Sequence, residues 1–146
     1  MKQFKGRPVV PGNVTAKAVV TNKGFNTLAS FQKALMFGDK QAKCSDQNND
    51  DIFGKAMAGK ALCLPQTIGS TTGGLVLFTA AEMGRQPACL LFSKPIDSLA
   101  AAGVILAGVW SKNPMPTVDS LGDEFLKAVQ NDCTVTVYED GTVNIE

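Results

Sequence analysis

Two short runs, Leu62-Cys63-Leu64 and Cys89-Leu90-Leu91-Phe92, contain no polar residue. A strand with one wet face alternates; a strand that is apolar at every position must be covered on both sides. These runs therefore predict central strands, over Lys60–Leu64 and Pro87–Phe92, in a sheet flanked by other layers. Val104-Ile105-Leu106-Ala107 reads as a further buried strand, after a short helix over 96–102 that Gly103 stops. Thr15 to Thr21 is β-branched and alternating, hence a strand. Cys133–Tyr138 and Thr142–Ile145 alternate around Glu139-Asp140-Gly141, a hairpin signal. Residues 7–12, Arg-Pro-Val-Val-Pro-Gly, form a stiff extended piece ending in a turn. Thr72 to Met83 reads as a helix closed by Gly84, and Ser120 to Val129 as another, with acids in its first turns. Leu28 to Phe37 fits a short helix or a strand equally. The order is strands, then two or three β–α–β steps, then a hairpin. That order predicts a mixed α/β fold, a sandwich or irregular barrel of short strands with a few helices.

The chain has 146 residues, 45% hydrophobic and 18% charged, which suits one folded domain over residues 1–146. The net charge of +1 gives no reason to expect nucleic acid or a membrane surface. The charge is uneven, +6 over residues 1–60 and −5 over residues 61–146, as a solvated surface can be by chance. There is no histidine, which excludes a His triad, a His general base and a His-ligated metal within this chain. Cys44, Cys63, Cys89 and Cys133 are scattered, with no C-x-x-C pair. Four free thiols and a start without an apolar signal core point to a reducing cytoplasm. No apolar run is long enough to span a membrane. Asp50-Asp51 reads as part of a polar loop, since no other ligand lies at a metal-binding spacing.

The candidate site is the turn Gly69-Ser70-Thr71-Thr72-Gly73-Gly74, between the strand ending at Leu64 and the helix that follows. Glycines let a ligand approach the backbone. Three consecutive hydroxyls sit where a helix exposes unpaired N–H groups and the positive end of its dipole. Such a turn can hold a carboxylate or phosphate, or present one reactive hydroxyl. It can equally be an ordinary N-cap. It lacks both the G-x-x-x-x-G-K-[ST] and the G-x-G-x-x-G patterns.

Three blocks together are similar to the aconitase X swivel family: Gly6-Arg7-Pro8-Val9-Val10-Pro11-Gly12, the Gly69-Ser70-Thr71 turn, and Pro87-Ala88 before a buried strand. The resemblance covers roughly residues 5–120. It implies a swivelling β/β/α domain that closes over a larger subunit of an iron-dependent dehydratase. It also implies that the large subunit carries cysteine-ligated iron or an iron–sulfur cluster. This chain would supply a serine base, which maps onto Ser70, with Gly69, Thr71, Thr72 and Arg7 at the substrate. Thr71 stands where the family usually has Ser. Two activities follow from the resemblance, dehydration of cis-3-hydroxy-L-proline and of mevalonate 5-phosphate. The Gly-Ser-Thr-Thr-Gly-Gly run, Met83-Gly84-Arg85, Ile96–Val104 and Val118–Leu126 look like the hydroxyproline branch. Residues 62–84 hold no Lys or Arg, which argues against a phosphate. A non-catalytic binding module, with Ser70 a plain cap, is the reading from another class.

Dehydration beside a carboxylate needs a base for the alpha proton, a Lewis acid for the leaving hydroxyl, and donors for the carboxylate. This chain can offer the first and part of the third. Without histidine or a cysteine cluster it has no set of ligands for the second, which independently predicts a partner.

Overall fold

The structure is a computed structural model, and it describes residues 1–69 and 71–146. Eight strands form one curled sheet in the order β1-β10-β9-β3-β5-β7-β8-β2. Its centre is parallel: β3 (Val14–Val20), β5 (Ala61–Leu64), β7 (Cys89–Phe92) and β8 (Thr117–Asp119). On one side the hairpin of β9 (Thr134–Val137) and β10 (Thr142–Ile145), then β1 (Lys2–Lys5), continue antiparallel. On the other side β2 (Arg7–Val10) pairs antiparallel with β8.

The two edge strands, β1 and β2, are separated in the chain by Gly6 alone. The sheet must therefore curl until its edges nearly meet, giving a barrel-like form. Gly6 is pressed into that seam. Its N–H donates to the Gly141 carbonyl at 3.0 Å, and a Cβ there would collide with the Asp119 carbonyl and Val118.

Both apolar runs are strands with both faces buried, as their composition predicts. Leu62, Leu64, Leu90 and Phe92 face a layer of three helices. Ala61, Cys63, Cys89 and Leu91 face the barrel interior, which Phe125 and Leu126 of α4 (Asp123–Ala128) help to close. The other helices are α1 (Thr27–Phe37), α2 (Gly73–Glu82) and α3 (Ser98–Trp110). A minor pair, β4 (Phe25–Asn26) and β6 (Thr67–Ile68), runs parallel beside the sheet.

The undecided stretch over 28–37 is helical. The Asn26 side chain accepts from Ala29 N at its start, and Gly38, at φ +72°, closes it. The expected strand Val104–Ala107 is not a strand; it lies in the middle of α3. Leu99, Ala100, Ala101, Ala102, Leu106 and Ala107 favour helix more than Val104 and Ile105 oppose it. Gly103 does not stop α3 but is its contact point with α2. Cβ atoms on Gly74 or Gly103 would strike the facing backbone, so the two helices cross main chain to main chain. The helix expected over 120–129 is shorter at its start, because Ser120 and Gly122 have φ of +58° and +93°. Among the described residues no helix is long and apolar enough to cross a membrane.

Candidate functional site

Thr67 and Ile68 carry the chain from the buried β5 to Gly69, which has φ +97°. Gly69 packs against the side chain of Asn26, and a Cβ there would approach its amide to within 2.7 Å. The turn that drew attention in the sequence is thereby seated on the N-cap of α1. A cleft of about 170 Å³ opens at this junction. Three helices begin around it: α1 with Thr27, α2 with Gly73, and α3 with Asp97, Leu99 and Ala100. Thr67, Ile68 and Gly69 complete the wall.

Three positive helix ends aimed at one space favour an anion without any cationic side chain. Two of the ends are closed by side chains. Asn26 Oδ1 accepts from Ala29 N at 3.1 Å, and Asp97 Oδ2 accepts from Ala100 N at 3.0 Å. The other Asp97 oxygen accepts from the Thr67 hydroxyl. The N-cap of α2 is Thr72, which makes no side-chain cap hydrogen bond, and the first turn of α2 holds no acid.

Of the residues expected at the substrate, Gly69 lines the cleft. Thr71 and Thr72 stand exposed just outside its wall. Ser70, the expected base, lies outside the described residues. Arg7 does not line the cleft. Its Nε and Nη2 fork onto Asp119 at 2.9 and 2.5 Å, and the hydrogen bonds and charge of that carboxylate raise the guanidinium pKa further. Asp119 is fully buried and also accepts from Ile96 N at 2.7 Å. Arg7 thus secures the segment that leads into Asp97. Thr27, Thr67 and Asp97 were not singled out in the sequence. Asn26 and Asp97 do carry the N-cap signature before an apolar stretch, but nothing local says that these helix starts converge.

Three of the four cysteines are buried in a way that does not suit iron. Cys63 and Cys89 are wholly buried in the barrel interior, where loss of solvation pushes both thiols up, Cys89 to about 12. Burial also raises Cys44. Among the described residues no three His, Cys, Asp or Glu side chains gather as a metal site.

A nearly closed mixed sheet, a helical layer, and a cleft at converging helix starts define a small α/β domain with three helix N-termini grouped at one end. The chain belongs to the aconitase X swivel domain family, whose model matches residues 3–145. It is 28% identical to the phosphomevalonate dehydratase small subunit of Thermococcus onnurineus, over 99% of this chain and 98% of the relative. It is 27% identical to the subunit of the same name from Aeropyrum pernix, over 98% and 92%. The fold matches the holo-form crystal structure of Thermococcus kodakaraensis aconitase X, with a TM-score of 0.83, 24% identity, and coverage of 100% of this chain and 99% of that one. It also matches the solution NMR structure of a UPF0107 protein, with a TM-score of 0.79, 25% identity and 99% coverage of both chains.

These names correct the order of the substrate expectations. The relatives carry the phosphomevalonate name, not the hydroxyproline one. The argument against phosphate rested on missing Lys and Arg near the turn. Helix starts can supply the donors instead, so that argument loses its force.

Proposed function

We propose that this chain is the small, swivelling subunit of an aconitase X-type dehydratase, a hydro-lyase active only with a large subunit. The reaction removes the proton alpha to a carboxylate and the hydroxyl from the next carbon. Mevalonate 5-phosphate is the preferred substrate reading, supported by the names of relatives aligned over nearly the whole chain. The observation that carries the proposal is the convergence of three helix starts beside Gly69. It supplies anion-holding donors beside Gly69, the residue before Ser70 in the chain, and little else that the reaction needs. In this reading Ser70 takes the alpha proton, and the helix ends lower the cost of its alkoxide. Gly69, Thr71 and Thr72 shape the turn, and Arg7 acts from the Asp119 side. The large subunit brings iron or an iron–sulfur cluster, whose chemistry is Lewis-acid assistance to the leaving hydroxyl. Both chains would work in a reducing cytoplasm, where the four cysteines stay as free thiols.

A second substrate reading, cis-3-hydroxy-L-proline, is favoured by the Gly69–Gly74 motif and by Asp97, a carboxylate on the cleft wall that disfavours a dianion. Co-expression with the large subunit and a panel of both substrates decides between them. The expected result is a stable complex that dehydrates mevalonate 5-phosphate, with each chain inactive alone. Turnover of hydroxyproline only would keep the subunit reading and reverse the substrate. Absence of a complex would end both.

A further inference from the structure

Thr27, the first residue of α1, is 2% exposed and lines the cleft. A buried hydroxyl without a partner is costly, so interiors rarely keep one. Ser30 Oγ, one turn further along α1, is also buried without a partner, but Ser30 does not line the cleft. Several other buried or half-buried hydroxyls nearby are satisfied. Thr21 bonds to Asn49 and Asp51, Ser45 to the Ala29 carbonyl, and Thr67 to Asp97. The Thr27 hydroxyl bonds to none of the described residues. Its neighbour across the cleft is Gly73, whose Cβ, were there one, would lie 3.7 Å from Thr27 Oγ1. The missing side chain leaves that space open. The hydroxyl and the first turn of α2 therefore face the same volume.

We propose that Thr27 and the first turn of α2 form an oxyanion site that holds the phosphate or carboxylate of the substrate. The hydroxyl donates to one oxygen and the Gly73 and Gly74 N–H groups at the start of α2 to others, at the helix start of the three around the cleft where the N-cap residue makes no side-chain cap hydrogen bond. Asp97 shares the cleft, but both its oxygens already accept, from Thr67 and from Ala100 N. The cleft holds one such group and its adjoining carbons, being smaller than the ~300 Å³ of ordinary ligand pockets. The rest of the substrate belongs to the partner's side. The assignment to substrate rests on the dehydratase reading; the site itself does not.

The test has two arms. In the full chain alone, inorganic phosphate and acetate are titrated against the amide spectrum. Saturable shifts are expected at Thr27, Gly73 and Gly74, and the probe that saturates at lower concentration identifies the group held. Thr27→Val keeps the branched shape and loses the hydroxyl. It should weaken that probe about tenfold or more, the loss of one hydrogen bond to a charged group, while Thr27→Ser stays near wild type. In the complex with the large subunit, Thr27→Val should raise KM by a similar factor with kcat little changed. Thr27→Ala serves if the valine does not fold. Shifts that saturate elsewhere, or a Thr27→Val chain that binds both probes like wild type, would overturn the site. Probe binding by the chain, with no dehydration by the complex, leaves the site standing and defeats the functional reading. Dehydration with an unchanged Thr27→Val KM does the reverse.

Discussion

The two faces of β5 and β7 are equally buried and serve different ends. The inner face, with Ala61, Cys63, Cys89 and Leu91, is closed on all sides by strands and by α4. Its polar atoms are two thiols that burial keeps protonated. The outer face, with Leu62, Leu64, Leu90 and Phe92, carries the helical layer. There three helix starts meet at a cleft. One face is a sealed core that holds the strands rigid. The other uses that rigidity to aim backbone donors. Substitutions should therefore divide by face: chemistry or stability lost on the helical side, stability alone lost on the inner side.

The largest effect should come from the turn on the helical side. Ser70→Ala in the complex should cut turnover about 10²- to 10⁴-fold, the range for loss of a positioned base, with an unchanged melting temperature. If Ser70 only capped a helix, about 1 kcal/mol of stability would go instead and turnover would stay. Next is the helix crossing. Gly103→Val should cost about 3 kcal/mol or more in urea unfolding, because the side chain has only the Gly74 backbone to occupy. A wild-type unfolding midpoint would show that α2 and α3 are not locked together. On the inner face, Cys89→Ala should cost about 1–2 kcal/mol through a small cavity and leave the kcat of the complex untouched. A fall in kcat without a fall in stability would break the division between faces. Thiol reagents near pH 8 should label half-buried Cys133 well before Cys89.

The smallest effect lies far from both faces. Asp140 accepts from the Thr142 hydroxyl and backbone and pairs with Lys5 at 3.1 Å, which lowers its carboxyl from 3.8 to about 2. The folded state thus binds fewer protons than the unfolded state as the pH falls from about 4 to 2. Asp140 stabilises the hairpin above that window, and its contribution disappears as pH drops through it. Asp140→Asn should lower stability slightly at pH 7 and flatten the loss between pH 4 and 2. An acid unfolding curve identical to wild type would remove this pairing from the account.

The sheet was legible where burial on both faces left its mark, in Leu62–Leu64 and Cys89–Phe92, and where alternation surrounds Glu139-Asp140-Gly141. It was not legible at Val104–Ala107, because an apolar run looks alike in a buried strand and in a helix packed from several sides. Only the distant Gly74 backbone explains why Gly103 sits inside α3. The candidate site was half legible. Gly69 and the hydroxyl run stand out locally, and the family resemblance rests on them. Thr27 and Asp97 reach the cleft through the sheet's topology, which brings together helix starts 25 or more residues apart. Arg7 was placed at the substrate by motif alone. Its buried partner Asp119 lies 112 residues away, on a neighbouring strand that no local pattern connects to it.

The central claim is that this chain takes the alpha proton in a reaction completed by a large subunit. Exchange of the substrate's alpha proton with deuterated solvent, followed in the assembled complex, tests it most directly. The wild-type complex should exchange that proton, and the Ser70→Ala complex should lose exchange in parallel with turnover while binding substrate as before. A Ser70→Ala complex that exchanges at the wild-type rate would contradict the claim, whatever its rate of dehydration.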